Sequence, residues 1–163
     1  MGKNEHNTGH YMNMALKYLS HRPRSIFEMH RFFEKKNTQD SITLEIIDSL
    51  VEKNYLNDHD FAQLWVETRV RNNPKSKFAL EYELKNKGID SSIIYNVLEQ
   101  YNDHDLAIDA VKTKIRTWKN LDAENLKKKM MNFLRYRGFN YEICISVFRY
   151  FNELKNNNWG ETI

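Results

Sequence analysis

The chain has 163 residues, of which 40% are hydrophobic and 13% aromatic, and its formal net charge is +3. Two prolines and five glycines argue against a disordered chain and against an all-β fold. No apolar run approaches the roughly 18 residues that a membrane-spanning helix needs. The single cysteine, Cys144, excludes an internal disulfide and a cysteine metal cluster. With no apolar leader at its start, we expect a cytoplasmic protein.

Three short phrases recur along the chain at intervals of about 50 residues. They are Asn-Asp-His-Asp at 57–60 and 102–105, Pro-Arg-Ser-Ile-Phe at 23–27 with Pro-Lys-Ser-Lys-Phe at 74–78, and Leu-Lys-Asn-Lys-Gly at 84–88 with Leu-Arg-Tyr-Arg-Gly at 134–138. Self-similarity at such a period is typical of repeat arrays. It predicts a function that depends on the surface of the array rather than on a pocket.

The first repeat, residues 12–57, follows a flexible tail of residues 1–11 and contains three helical stripes. Ser25 is expected to cap the second helix, and Glu28 completes a capping box. Asn37 suits the left-handed conformation that ends a helix. The stripes are Met12, Ala15, Leu16 and Leu19; Ile26, Met29, Phe32 and Phe33; and Ile42, Ile46, Ile47, Leu50 and Val51.

The second repeat, residues 58–102, and the third, residues 103–155, follow the same plan, and a C-terminal tail spans 156–163. Gly88 and Gly138 are expected to end the second helix of each repeat at positive φ. In the second repeat that helix takes its apolar face from Phe78, Leu80, Leu84 and either Ala79 or Tyr82. No segment shows the alternation of apolar and polar residues that is typical of a β-strand. The sequence therefore predicts an all-α fold of nine helices, arranged as three tandem three-helix repeats stacked into an elongated, curved array.

The two Asn-Asp-His-Asp phrases could be interpreted as metal sites or as helix starts. Neighbouring residues on a helix point about 100° apart, so the carboxylates beside His59 and His104 converge poorly on one ion. The helix-start interpretation is favoured, with Asn57 or Asp58 as the cap. The sequence also has no glycine-rich phosphate loop, zinc-protease motif or nucleophile elbow. We expect no enzymatic activity, no catalytic residues, no metal and no cofactor.

Charge is unevenly distributed along the chain. Residues 111–140 hold nine Lys or Arg against two Asp or Glu, whereas residues 40–68 hold one Lys against seven acids. A helix-turn-helix reader of DNA needs basic or amide side chains on its third helix, and the third helices here lack basic residues apart from Arg149. The cations concentrate on the second helices instead. That pattern is typical of a surface that binds phosphates or an acidic protein groove and does not recognise base sequence.

Several segments, in this order, match one known family. They are Tyr18-Leu19-Ser20 with Arg24-Ser25, Tyr55-Leu56-Asn57-Asp58 with Phe61-Ala62, Glu83-Leu84-Lys85-Asn86-Lys87-Gly88-Ile89, and Phe133-Leu134-Arg135-Tyr136-Arg137-Gly138-Phe139. Over residues 14–152 the chain resembles the bacterial RecX regulatory proteins. It departs from the usual pattern at Asn54, which stands where the family commonly has a glycine before Tyr55.

The resemblance implies a monomeric, non-catalytic regulator that binds the RecA recombinase filament on DNA and modulates strand exchange and ATP hydrolysis. The expected effect on RecA is inhibition, in recombination, DNA repair and the SOS response. The residues themselves leave open whether the protein supports RecA instead. DNA, single- or double-stranded, would be contacted without sequence specificity, and no membrane is involved. The expected partner-binding residues are Lys127, Lys128, Arg135, Arg137, Lys85, Lys87, Arg24 and Arg31. The alternatives are a helical-repeat adaptor or non-specific nucleic-acid-binding protein unrelated to recombination and, less favoured, an enzyme.

Overall fold

The computed structural model of the protein describes residues 2–156, with the side chains of residues 8–155. Within this part of the chain all regular structure is helical, in nine α-helices, so the predicted all-α fold of three-helix repeats is confirmed. The helices are α1 Gly2–His21, α2 Ile26–Glu34, α3 Asp40–Glu52, α4 Asp58–Asn72, α5 Lys77–Lys85, α6 Ser91–Glu99, α7 Asp103–Trp118, α8 Ala123–Tyr136 and α9 Tyr141–Asn156. Trp159, to which the sequence assigns no role, lies outside the described residues.

The helix ends follow the predicted chemistry. Asn37, Gly88 and Gly138 have φ values of 52°, 73° and 89°, which confirms their left-handed conformation. Asn54 also has positive φ, at 57°, in the left-handed region where asparagine is found more often than most other residues. The start of α1 differs from the expectation: the helix begins at Gly2, well before Met12. That added stretch carries no apolar stripe, and periodicity therefore gave no sign of it.

The chain divides into two compact units. One comprises the residues up to Trp65 together with Leu84–Val97, and the other comprises Val66–Glu83 together with the residues from Leu98 onward. All three boundaries between the units fall inside helices, in α4, α5 and α6, so the units do not coincide with the sequence repeats. The division into repeats at 12–57, 58–102 and 103–155 stays a prediction from the sequence.

Each unit has its own apolar core. In the first unit α1 and α2 pack on α3, around Ala15, Met29, Phe33, Ile46 and Leu50. In the second, α7, α8 and α9 pack on one another. Their buried side chains are Leu106, Ala107, Ala110, Val111, Ile115 and Trp118 from α7, Leu126, Met130 and Leu134 from α8, and Cys144, Val147 and Phe151 from α9. No helix within residues 2–156 has the length and hydropathy that crossing a bilayer requires.

Three predicted stripes are wrong in part. Leu16 of α1 is 38% exposed and Val51 of α3 is 42% exposed, although both were assigned to apolar faces. Leu80 and Leu84 of α5 are fully buried, but Phe78 is 73% exposed and Tyr82 is 64% exposed. Because successive residues of a helix turn by about 100°, Phe78 lies roughly 160° around α5 from Leu80 and cannot share its buried side.

Candidate functional site

The recurring phrases meet in space in the first unit. Ser25 caps α2, because the Glu28 amide donates to its Oγ at 3.1 Å, as predicted. The same hydroxyl donates to the carbonyl oxygen of Lys87 at 2.7 Å. The Ile26 amide donates to Asp58 Oδ1 at 2.8 Å. The Pro-x-Ser turn is therefore bonded both to the glycine-ended helix α5 and to the Asn-Asp-His-Asp phrase.

Gly88 completes this junction. A Cβ placed on Gly88 would lie 2.3 Å from Phe27 Cβ, closer than real Cβ atoms approach another atom. Burial raises the pKa of Asp58, and the hydrogen bond from the Ile26 amide acts against that rise. The junction thus combines a close backbone approach with a half-buried carboxylate.

The same junction recurs in the second unit. The Ser76 amide donates to the carbonyl oxygen of Arg137 at 3.1 Å, and the Lys77 amide donates to Asp103 Oδ1 at 2.7 Å. A Cβ on Gly138 would lie 2.6 Å from Ser76 Oγ and 2.9 Å from Ala79 Cβ. Sequence reasoning missed this pairing of phrases. The signal that could have found it is the near-equal spacing of the two copies of each phrase.

The Asn-Asp-His-Asp phrases begin helices, as the favoured interpretation predicts. Asn57 Oδ1 accepts from the His59 and Asp60 amides at 3.0 and 3.2 Å. Asn102 Oδ1 accepts from the His104 amide at 2.8 Å. Among the residues whose side chains are described, no group of three or more His, Cys, Asp or Glu could hold a metal ion.

Lys87, one of the expected partner-binding residues, is turned inward. Its Nζ lies 2.7 Å from Glu28 Oε1 and 4.9 Å from the centre of the Trp65 ring. Burial alone raises the pKa of Glu28, but hydrogen bonds and charge from Arg22 and Lys87 outweigh it and hold that pKa at about 2. Glu28 therefore serves this ion-pair network, and its carboxylate does not close the predicted capping box.

Arg137 is likewise engaged within its own unit. Its Nη1 donates to Asn73 Oδ1 and, at 3.1 Å, to the Pro74 carbonyl oxygen. Its guanidinium carbon lies 4.3 Å from the centre of the Phe133 ring. Burial lowers the pKa of this group from its ordinary value. The chain thus uses Arg137 to tie the end of α8 to the turn before α5.

The two arginines of the first repeat differ from each other. Arg24 is half-buried, with its guanidinium carbon 3.8 Å from the centre of the Tyr18 ring and its buried Nε without a hydrogen-bond partner. Arg31 is exposed on α2, 5.9 Å from the centre of the Phe27 ring. Lys85 is exposed at the end of α5.

The remaining three expected residues form an exposed surface, the α8 basic face, which consists of Lys127, Lys128 and Arg135. Leu126 and Leu134 fix the apolar side of α8 in the core. Lys128 and Arg135 lie roughly 100–180° around the helix from these leucines, whereas Lys127 lies at the edge of the buried stripe. Lys127 Nζ lies 5.9 Å from the Phe148 ring. Exposed cations of α7, in the same unit, are Lys112, Lys114 and Arg116.

Two segments of the chain match models of known protein domains. Residues 57–98 match the family model described as RecX, second three-helix domain, and residues 102–148 match that described as RecX, third three-helix domain. The chain belongs to the RecX family. The fold and the resemblance predicted from the sequence are both confirmed.

Curated relatives of this RecX chain carry the name "Regulatory protein RecX". That of Bacillus subtilis is 34% identical over 134 residues, which cover 80% of this chain and 51% of the relative. That of Lactobacillus gasseri is 29% identical over 137 residues, with coverage of 82% and 51%. That of Listeria monocytogenes is 32% identical over 136 residues, with coverage of 82% and 51%. The chain spans about half the length of the curated relatives it matches.

Two solved structures share the fold. The crystal structure of RecX from Lactobacillus salivarius superposes with a TM-score of 0.76 at 22% identity, covering 91% of this chain and 99% of that one. A second crystal structure, of a regulatory protein RecX, gives a TM-score of 0.71 at 21% identity, with coverage of 86% and 72%. At these identities the likeness supports the all-helical fold.

Proposed function

We propose that this RecX-family chain is a regulatory protein that binds the RecA filament on DNA and modulates RecA strand exchange and ATP hydrolysis, with inhibition as the expected direction. Its relatives are named regulatory proteins. The observation that carries the proposal is the α8 basic face. It is a surface for a polyanion or an acidic protein groove, with no catalytic group to act on what it binds.

The α8 basic face is available to a partner from outside its unit. None of Lys127, Lys128 and Arg135 makes an ion pair with a side chain among residues 8–155, in contrast to Lys87. Exposed cations without an ion-pair partner on their own chain are available to bind anions. A nucleoprotein filament offers phosphates and acidic side chains to them.

The structure changes which residues should carry binding. Lys87 and Arg137 are used inside the chain, so changing them would disturb the fold before it reported on a partner. The sharper test changes Lys127, Lys128 and Arg135 together to Glu. A matched control changes three other exposed cations, Lys53, Arg71 and Arg149, to Glu and alters the net charge equally.

RecA strand exchange and RecA ATP hydrolysis are then measured at moderate salt with wild type and both variants, after circular dichroism has shown all three folded. The proposal expects wild type and the control to inhibit, and the α8 variant to lose most of its effect. If the α8 variant acts on RecA as well as wild type does, this face is not the binding surface.

A second function rests on the same face. A non-specific nucleic-acid-binding protein unrelated to recombination would also place Lys127, Lys128 and Arg135 on DNA phosphates. Such a protein would bind bare DNA as tightly as RecA-coated DNA and would leave the RecA reactions unchanged. Parallel titrations of bare and RecA-coated DNA separate the two functions.

A further inference from the structure

The outward side of α3 carries carboxylates without a partner in the described part of the chain. Glu45, Asp48 and Glu52 are exposed. None of them forms an ion pair among the residues whose side chains are described. Ile46 and Leu50 hold the other side of the helix in the core of the first unit. We call Glu45, Asp48 and Glu52 the α3 acidic face.

Exposed apolar side chains border the α3 acidic face. Leu44 is 52% exposed and Val51 is 42% exposed, and each lies one residue before a glutamate of the face. Single exposed apolar residues are common on protein surfaces. Here they adjoin unpaired carboxylates, so a complementary surface must bring cations together with some apolar surface.

The α8 basic face of a second copy of this chain has those properties. Lys128 and Arg135 are seven residues apart, as are Glu45 and Glu52, and seven residues of an α-helix span about 10.5 Å. Tyr136, beside Arg135, is 93% exposed and adds apolar surface. Two helices that lie side by side can therefore bring both pairs of opposite charges together at once.

Other pairs of Lys or Arg with this spacing in the described part of the chain fit less well. They are Lys17 with Arg24, Arg24 with Arg31, and Lys112 with Lys119. Arg24 is half-buried against the Tyr18 ring, which leaves it little freedom to reach another molecule. Lys112 Nζ already lies 3.0 Å from Asp109 Oδ1. Lys128 and Arg135 are both exposed and both without an ion-pair partner among residues 8–155.

We propose that this chain self-associates head to tail, with the α3 acidic face of one copy bound to the α8 basic face of the next. The two faces belong to different units of the chain and consist of different residues, so the contact is heterologous. Such contacts build chains or rings rather than two-fold dimers, since every copy has one face of each sign.

The association is weak and sensitive to salt. Exposed ion pairs contribute little free energy each, and dissolved salt screens them further. The monomer expected from the sequence is therefore the state at low protein concentration or high salt. In the proposed function the α8 basic face binds the RecA filament, so self-association would cover the same surface and compete with that binding.

The test measures the average mass of the full chain, freed of nucleic acid and without RecA, by sedimentation equilibrium. Wild type should show a mass that rises with protein concentration at low salt. At about 1 M salt, where the screening length is about 3 Å, it should stay monomeric. Because RecA is absent, a negative result leaves filament regulation standing, and loss of filament regulation would leave self-association standing.

Two variants remove the charges of one face each and keep polar side chains there. They are Glu45→Gln with Asp48→Asn and Glu52→Gln, and Lys127→Gln with Lys128→Gln and Arg135→Gln. Their matched controls change the same number of exposed charges elsewhere, in Glu99→Gln with Glu142→Gln and Glu153→Gln, and in Lys53→Gln with Arg71→Gln and Arg149→Gln. Each face variant should associate at least several-fold more weakly than its control.

A second measurement locates the contact. A carbodiimide couples a carboxylate directly to a lysine amine at ion-pair distance. In an equal mixture of isotope-labelled and unlabelled wild type, mass spectrometry should find the α3 carboxylates of one copy joined to Lys127 or Lys128 of another. Cross-links between labelled and unlabelled peptides distinguish this contact from one within a single chain.

Three results would each overturn the proposal. They are a mass independent of protein concentration at low salt, equal association of either face variant and its control, and no cross-link between the two faces of different copies. A concentration-dependent mass that both face variants lower, together with cross-links between the faces of different copies, would support it.

Discussion

Ser25 Oγ donates a hydrogen bond of 2.7 Å to the carbonyl oxygen of Lys87, 62 residues further along the chain. The second copy of the same phrases makes the related bond from the Ser76 amide to the Arg137 carbonyl oxygen, at 3.1 Å. In both cases a helix-capping serine meets the residue just before a glycine at positive φ. The repeated phrases are therefore partners, and each pair lies within one compact unit.

Replacing Gly88 or Gly138 by Ala should destabilise the fold by about 2 kcal/mol or more. A non-glycine residue is strained at φ near 73° or 89°, and the new Cβ would also collide with Phe27 or with Ser76. Gly9→Ala is the control, since nothing lies within 4 Å of its new Cβ and alanine favours a helix. Urea unfolding measures all three. Equal stabilities would show that the junctions tolerate a side chain.

Removing the Asp58 carboxylate should lower the free energy of unfolding by about 1–3 kcal/mol, because Asp58→Ala leaves the Ile26 amide without its acceptor. Asp58→Asn keeps an acceptor oxygen and removes a charge that burial disfavours, so it should cost less. Asp60→Ala, on an exposed position of the same helix, is the control. The cross-repeat bond contributes nothing if Asp58→Ala and Asp60→Ala unfold at the same denaturant concentration.

Replacing Arg137 by Ala should destabilise the fold clearly more than replacing Arg135 by Ala. Arg137→Ala removes the bonds to Asn73 and Pro74 and should cost about 1–3 kcal/mol, whereas exposed Arg135→Ala should change stability by about 0.5 kcal/mol or less. Thermal unfolding compares the two variants. A larger loss from Arg135→Ala would reverse the assignment of Arg137 as a structural residue.

Stability should fall in acid partly through Glu28. Its pKa is about 2 in the folded chain, below the ordinary value of 4.5, so its ionised form stabilises the fold above pH 4.5. That contribution, on the order of 1–3 kcal/mol, is lost as the pH falls from about 5 towards 2. Glu28→Gln should flatten the pH dependence of the free energy of unfolding in this window. An unchanged slope would show that the Arg22–Glu28–Lys87 network adds no stability.

Local features could be predicted from the sequence because their causes are local. The cap at Ser25 and the left-handed ends at Asn37, Gly88 and Gly138 each depend on neighbours within one or two turns. The same holds for the stripe on α3 apart from Val51, which is exposed. The exposed position of Phe78 could not be predicted from its neighbours in the sequence. Apolar residues at 78, 80 and 84 fit more than one helical phase, and only the packing of Leu80 and Leu84 decides between them.

Candidate binding residues were harder to predict than the fold. Lys87, Arg137 and Arg135 all carry a positive charge, so their charge alone does not distinguish them. In the structure, however, Lys87 binds a partner 59 residues away in the sequence, and Arg137 binds partners at least 63 residues away. The periodicity of apolar residues along the chain does not predict contacts between residues so far apart in the sequence. Of the α8 residues chosen from the sequence, Lys127, Lys128 and Arg135 are exposed, and helical spacing places Lys128 and Arg135 on the side away from Leu126 and Leu134.

The most direct test of the central claim is the affinity for RecA filaments on single-stranded DNA, measured by cosedimentation over a range of salt concentrations. The account predicts that wild type binds more weakly as salt rises. It predicts that Lys127→Glu with Lys128→Glu and Arg135→Glu binds weakly at all salt concentrations, with a salt slope smaller by up to about three. Lys53→Glu with Arg71→Glu and Arg149→Glu should behave as wild type. Wild-type affinity and an unchanged slope in the α8 variant would contradict the account.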